Sequence, residues 1–166
     1  MQILFYAIWL VILSVLQPTL ARGIEIFNIA PNLFLCFVII TGFYRGKMDG
    51  AICGVVFGLV YDMLIGRLIG VNAFCYLYIG FGAGLLSENF FSGGKTLATA
   101  ITVFVGTIIA SLIYYFAGLI AYGSMSFVTA IFRIGLLEGI YNAIIAVILK
   151  IAVLGVMKLM RIEKIS

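Results

Sequence analysis

Two carboxylates interrupt long apolar runs in this chain, Asp62 and Glu138, and an amide, Asn142, follows Glu138 at the i, i+4 spacing of a helix face. Acids inside a membrane can relay protons or bind a cation, and each costs about 2.5–3.5 kcal/mol to insert, so each wants a partner. Catalysis asks for more than acids. The chain has no histidine, and it shows no nucleophile elbow and no HExxH motif. Its Ser92-Gly-Gly-Lys95 stretch lacks the leading glycine of a phosphate-cradling loop. Cys36, Cys53 and Cys75 stand singly in apolar surroundings without CxxC spacing, which excludes the usual zinc arrangements and argues against a disulfide framework. These residues predict no metal, no cofactor and no enzyme activity. Assembly duty is the first reading of the acids, and ligand or ion binding the second.

The second pattern is a ladder of small residues. Gly42, Gly46, Gly50, Gly54 and Gly58 are followed by Asp62, Gly66 and Gly70, all four apart. On a helix, steps of four advance about 40° each, so Gly50, Gly54, Gly58 and Asp62 form one slowly winding flank. Small residues let a second backbone approach closely, and van der Waals contact is the main adhesive between helices in lipid. The flank predicts either packing within the bundle or a docking face for another protein's membrane helix, with Gly66 and Gly70 continuing it.

These residues need elements to hold them, and composition says which. Apolar residues make up 65% of the chain and charged residues 10%, against about 25% charged in soluble domains. Too few polar residues exist to coat a water-soluble core. The expected fold is an all-α integral membrane protein, one compact polytopic domain over residues 1–166 with six spans, five being the alternative. The spans are read at about Gln2–Leu20 (a retained first helix, with Pro18 a kink or exit), Pro31–Tyr44, Gly50–Ile65, Val71–Leu86, Thr96–Ala121 and Ile134–Met157. Pro31 is placed in the first turn of the second helix, and Arg45 to Asp49 form a charged link. Tyr122 to Phe132 is a break in which Phe127–Phe132 lies in the interface. The second span covers only about 21 Å, short of the ~30 Å hydrocarbon core. It must be shielded by neighbours, thin the bilayer, or rely on snorkelling by Arg45 and Lys47.

Basic residues set the orientation. With the N-terminus cytoplasmic, Arg45, Lys47, Lys95, Lys158, Arg161 and Lys164 fall inside, and Arg22, Arg67 and Arg133 outside. The excess predicts cytoplasmic termini, with anionic lipid as the partner of the basic loops. The scattered charges form no stripe for nucleic acid. Counting up from Gly50, Asp62 sits roughly 18 Å along its helix, in the outer half, where Glu138 and Asn142 also fall. An outer polar cluster of Asp62, Arg67, Arg133, Glu138 and Asn142 is therefore expected. Lys150, inside the last span, is expected to snorkel or to pair with Glu88.

Pro31-Asn32-Leu33, Arg45-Gly46-Lys47, the run Gly54-Val-Val-Phe57-Gly58-Leu59-Val-Tyr-Asp62 and the continuation Gly66 to Phe74 resemble the rod shape-determining protein MreD family. The likeness spans about Pro31 to Gly84. It implies a small inner-membrane subunit of the cell-wall elongation machinery that touches MreC, a partner with a single membrane helix. Through MreC it would work beside MreB, RodA and a class B penicillin-binding protein. It also implies a fold similar to the substrate-binding subunits of energy-coupling-factor vitamin transporters. The function expected is thus a non-enzymatic scaffold for rod shape. The alternative is a substrate-binding transporter subunit, whose pocket Asp62, Asn72, Glu138, Asn142 and nearby tyrosines could line.

Overall fold

Apolar runs form the helices, and two left-handed glycines, Gly46 at φ 99° and Gly70 at φ 98°, mark breaks between them. The computed structural model describes residues 2–23, 29–65, 69–90, 96–122 and 135–160. These form six helices: α1 (Gln2–Gly23), α2 (Leu33–Arg45), α3 (Lys47–Ile65), α4 (Val71–Phe90), α5 (Thr96–Tyr122) and α6 (Leu136–Leu159). Within them Gln2–Thr19, Lys47–Ile65, Thr96–Ile120 and Leu136–Leu159 are long and apolar enough to cross a membrane. The short α2 is apolar too. α4 carries Asn72 at one end and Ser87, Glu88 and Asn89 at the other. The stretch 123–132 and the tail from Arg161 lie outside the described residues.

α2 is the central post. It touches all five other helices, and around it α1, α3, α4, α5 and α6 follow in that order, each against the next. Its 13 residues are all buried. Of the three remedies for its shortness, shielding by neighbours is the one realised, so the post meets protein where the outer helices meet hydrocarbon. Phe34 and Phe37 on α2 hold Phe57 of α3, with Phe37 stacked on Phe57 at 4.8 Å between ring centres. α1 attaches by one stripe of residues four apart, the buried Phe5, Trp9, Leu13 and Gln17. The opposite surfaces are apolar and exposed, as at Val11, Met63, Ile101 and Ile148. That is the pattern expected when the solvent is lipid.

Several boundaries differ from the expected ones, each for a local reason. Pro31 lies outside α2. The helix is capped by Asn32, whose side chain accepts from Leu35 N at 3.0 Å, which moves the start past the proline. The charged link shrinks to Gly46 alone, because its φ of 99° turns the chain within one residue and lets α3 begin at Lys47. α4 runs on to Phe90, since Ser87 donates to Phe43 O at 2.6 Å and Glu88 pairs with Lys47 at 3.0 Å. Pro18 sits inside α1, which continues to Gly23.

Candidate functional site

The flank of α3 meets α4, and the two antiparallel backbones touch. A Cβ on Gly54 would stand 2.7 Å from Leu77 N, and one on Gly58 2.7 Å from Ala73 N. Real Cβ atoms do not come so close, and backbone cannot step aside. At Gly50 three helices cross: its Cβ would meet the Gly80 backbone of α4 and, at 2.6 Å, the Cα of Gly42 in α2. α4 therefore occupies the flank along Gly50, Gly54 and Gly58. Gly70 does not prolong the flank. It lies in the turn before α4 with φ 98° and open space around it. Gly66 lies outside the described residues.

Asp62 ends the same flank, 2% exposed. Its carboxylate accepts from Gly70 N at 2.8 Å and Asn72 Nδ2 at 2.7 Å, and from Asn72 N and Ala73 N at 3.3 Å each. These backbone donors belong to the first turn of α4, whose N–H groups have no partner within the helix and whose dipole end is positive. Asp62 is thus a cap supplied from a neighbouring helix. Hydrogen bonds to a charged group contribute about 1.5–3 kcal/mol each, so even the two short ones offset an insertion cost of about 2.5–3.5 kcal/mol.

A second knot closes the start of α2. Asn32 N donates to Asn142 Oδ1 at 2.7 Å, and Leu33 N donates to Gln17 Oε1 at 2.9 Å. Gln17 Nε2 donates in turn to Pro31 O at 2.8 Å, and Asn32 Nδ2 to the Tyr76 hydroxyl at 2.7 Å. Asn142 Nδ2 reaches Thr107 Oγ1 at 3.1 Å and, at the limit of a bond, Glu138 Oε1 at 3.5 Å. α1, α4, α5 and α6 each contribute a side chain to one helix end. The reason is physical: α2 starts inside the bundle, where water cannot satisfy its first N–H groups.

Of the expected five-residue cluster, Asp62, Glu138 and Asn142 lie within the described residues, where Asp62 bonds at the start of α4 and the Glu138–Asn142 pair reaches the start of α2. Arg67 and Arg133 lie outside the described residues. Gln17, Asn32, Tyr76 and Thr107 were not foreseen as members. Asn32 alone carried a readable signal, an Asn directly before an apolar helical run.

At the other end of α2, Arg45 is 2% exposed. Its Nε donates to Asp49 Oδ2 at 2.7 Å, and the guanidinium lies 5.7 Å from the Tyr6 ring centre. Lys150 neither pairs with Glu88 nor reaches out of the bundle. Its Nζ donates to Thr96 Oγ1 at 2.7 Å and lies 5.4 Å from the Tyr44 ring centre, while Glu88 is held by Lys47. No group of His, Cys, Asp and Glu that could hold a metal is present among the described residues.

A central capped post, a glycine-zipped helix pair and an apolar outer surface define a multi-pass helical membrane protein whose polar side chains brace its own backbone. The family model for the rod shape-determining protein MreD matches residues 1–161, and the chain belongs to that family. It is thus a cell-shape-determining membrane protein of a structural rather than an enzymatic family. No curated protein matches the chain. No solved structure matches it either, so the expected likeness to energy-coupling-factor subunits has no counterpart here. The transport alternative gains no support.

Proposed function

We propose that this protein is a non-enzymatic scaffold of the cell-wall elongation machinery, holding a partner with a single membrane helix, of the MreC type, against its lipid-facing surface. Through that partner it would stand beside MreB, RodA and a class B penicillin-binding protein in the bacterial inner membrane. In this reading all six helices lie within the bilayer, α2 and α4 included, and both termini are cytoplasmic. The family match over residues 1–161 carries the reading. The site geometry supports it, because Asp62, Asn32 and Asn142 are engaged with helix ends. The glycine flank being filled by α4, the seat for a partner falls to the exposed faces.

Photocrosslinking from lipid-facing positions such as Val11, Val56, Ile101 and Ile148, in cells, tests this. The expected result is a product with one bitopic membrane protein from a single face. Capture of lipid alone from every face, with no protein retained after purification in mild detergent, would overturn it.

A further inference from the structure

A buried polar atom that meets no partner is rare in a folded chain, so its position points to what the fold is built to bind. Among the described residues four side chains bury such an atom: Trp9 Nε1, Thr41 Oγ1, Arg45 Nη1 and Asn72 Oδ1. Asn72 stands apart, at the start of α4. The other three belong to one seam between α1 and α2. Thr41 and Arg45 are four apart on α2, hence on one face. The Trp9 ring lies 5.3 Å from that of Phe37, one turn before Thr41. Tyr6, three residues before Trp9, lies against the Arg45 guanidinium and donates to Asp49 of α3. The three atoms thus fall between the Trp9–Phe37 contact and the Tyr6–Arg45 contact. Trp9 is 5% exposed, and Thr41 and Arg45 2% each.

Their chemistry specifies the occupant. Trp9 Nε1 and Arg45 Nη1 can only donate, whereas a hydroxyl donates or accepts. Thr102, Thr107 and Ser111 turn their hydroxyls onto the carbonyl four residues back. Thr41 does not, and the Cys53 thiol of α3 beside it is a weak partner. Two donors and one adaptable hydroxyl match a water molecule, which accepts from the first two and donates to the third. About three bonds are the usual complement of an internal water, in a space of about 10–15 Å³. An anion could also take three donors. The Arg45 charge is already matched by Asp49 at 2.7 Å, however, and a further negative charge would lie unpaired in the interior.

We infer that the seam between α1, α2 and α3 holds a buried water bound by Trp9, Thr41 and Arg45. The water completes the hydrogen bonding of the Arg45–Asp49 pair, without which a buried ion pair does not offset its own desolvation. It also makes the middle of the α1 contact water-mediated, between the direct bonds of Gln17 and Tyr6. The site is independent of which partner the protein holds.

X-ray hydroxyl-radical footprinting of the full-length protein in lipid nanodiscs tests this, because radiolysis of a bound water oxidises the side chains that touch it. Trp9 should be oxidised several-fold faster than Phe5 and Leu13, its buried neighbours on the same stripe of α1, once each rate is divided by the reactivity of the free amino acid. Thr41→Val keeps the shape and removes the hydroxyl, and should cut the Trp9 rate several-fold at unchanged elution volume. If that variant does not fold, the comparison along α1 decides alone. Equal corrected rates at Phe5, Trp9 and Leu13 would overturn the site, all low meaning a dry seam and all high an α1 that opens to bulk water. A Trp9 rate untouched by Thr41→Val in folded protein would overturn it as well. So would a rate that falls several-fold when chloride replaces gluconate, which would assign the seam to an anion.

Discussion

Asn32 and Asn142 stand 110 positions apart in the chain, yet the amide of one lies 2.7 Å from the side-chain oxygen of the other. That bond caps a helix that begins inside the bundle with a residue from the last helix. Replacing Asn142 by Leu keeps its bulk and strands the Asn32 N–H, while the Thr107 hydroxyl keeps its bond to Val103 O. A buried donor left without an acceptor costs about 1–3 kcal/mol. The detergent-solubilised protein should melt several degrees lower, as read by fluorescence-detected unfolding, and Asn142→Gln should recover little.

Glycine substitutions should split into two classes. Gly54→Ala and Gly58→Ala place a methyl against α4 backbone and should lose about 1–3 kcal/mol, as overpacking does. Gly82→Ala and Gly155→Ala have nothing within 4 Å and should be neutral or gain up to about 1 kcal/mol from helix propensity. Membrane expression and melting of the four variants check this in one experiment. Uniform behaviour would contradict the α3–α4 zipper.

Asp62 should not be rescued by charge exchange. Its described partners are Gly70, Asn72 and Ala73, and a backbone amide cannot be recoded. Asp62→Ala should deplete folded protein, Asp62→Asn should retain part of it, and Asp62→Arg with Arg133→Asp or Arg67→Asp should be no better than Asp62→Arg alone. Recovery in either double variant, measured by size-exclusion yield, would restore an ion pair as the main support of this carboxylate.

Gln17 anchors α1 at one end and Tyr6 at the other, where its hydroxyl donates to Asp49 at 3.3 Å. Gln17→Leu leaves Leu33 N and Pro31 O unsatisfied, whereas Tyr6→Phe removes only one long bond. The first should cost about 1–3 kcal/mol and the second about 1 kcal/mol or less. Hydrogen exchange of α1 should rise in the same order.

Much of the fold is legible in the residues. An apolar chain with most of its charges at the breaks reads as membrane helices, and a helix of 13 residues is too short to face lipid unaided. What stays illegible is where lone polar residues meet. Gln17, Tyr76 and Thr107 each look like an isolated tolerance within an apolar run, since their partners lie 16, 44 and 35 positions away. Asp62 shows the same limit from the other side. Its residue type announces that it needs a partner, but the backbone amides it meets leave no mark in composition. Gly46 shows how a boundary is misread: three charged neighbours, Arg45, Lys47 and Asp49, suggest a loop, and one left-handed residue makes the turn alone.

The sheathing of α2 has a bearing on biosynthesis. As the ribosome proceeds, α2 emerges with its future coat unmade: Tyr76, Thr107 and Asn142 are all still untranslated. A segment of about 20 Å cannot partition into the bilayer as a stable unit by itself, and Gly46 couples it at once to α3. In the proposed six-span topology the translocon would hold or release α2 as a provisional guest, made permanent when the final helix arrives. Truncation before Asn142 should leave a chain that inserts but remains sensitive to membrane proteases.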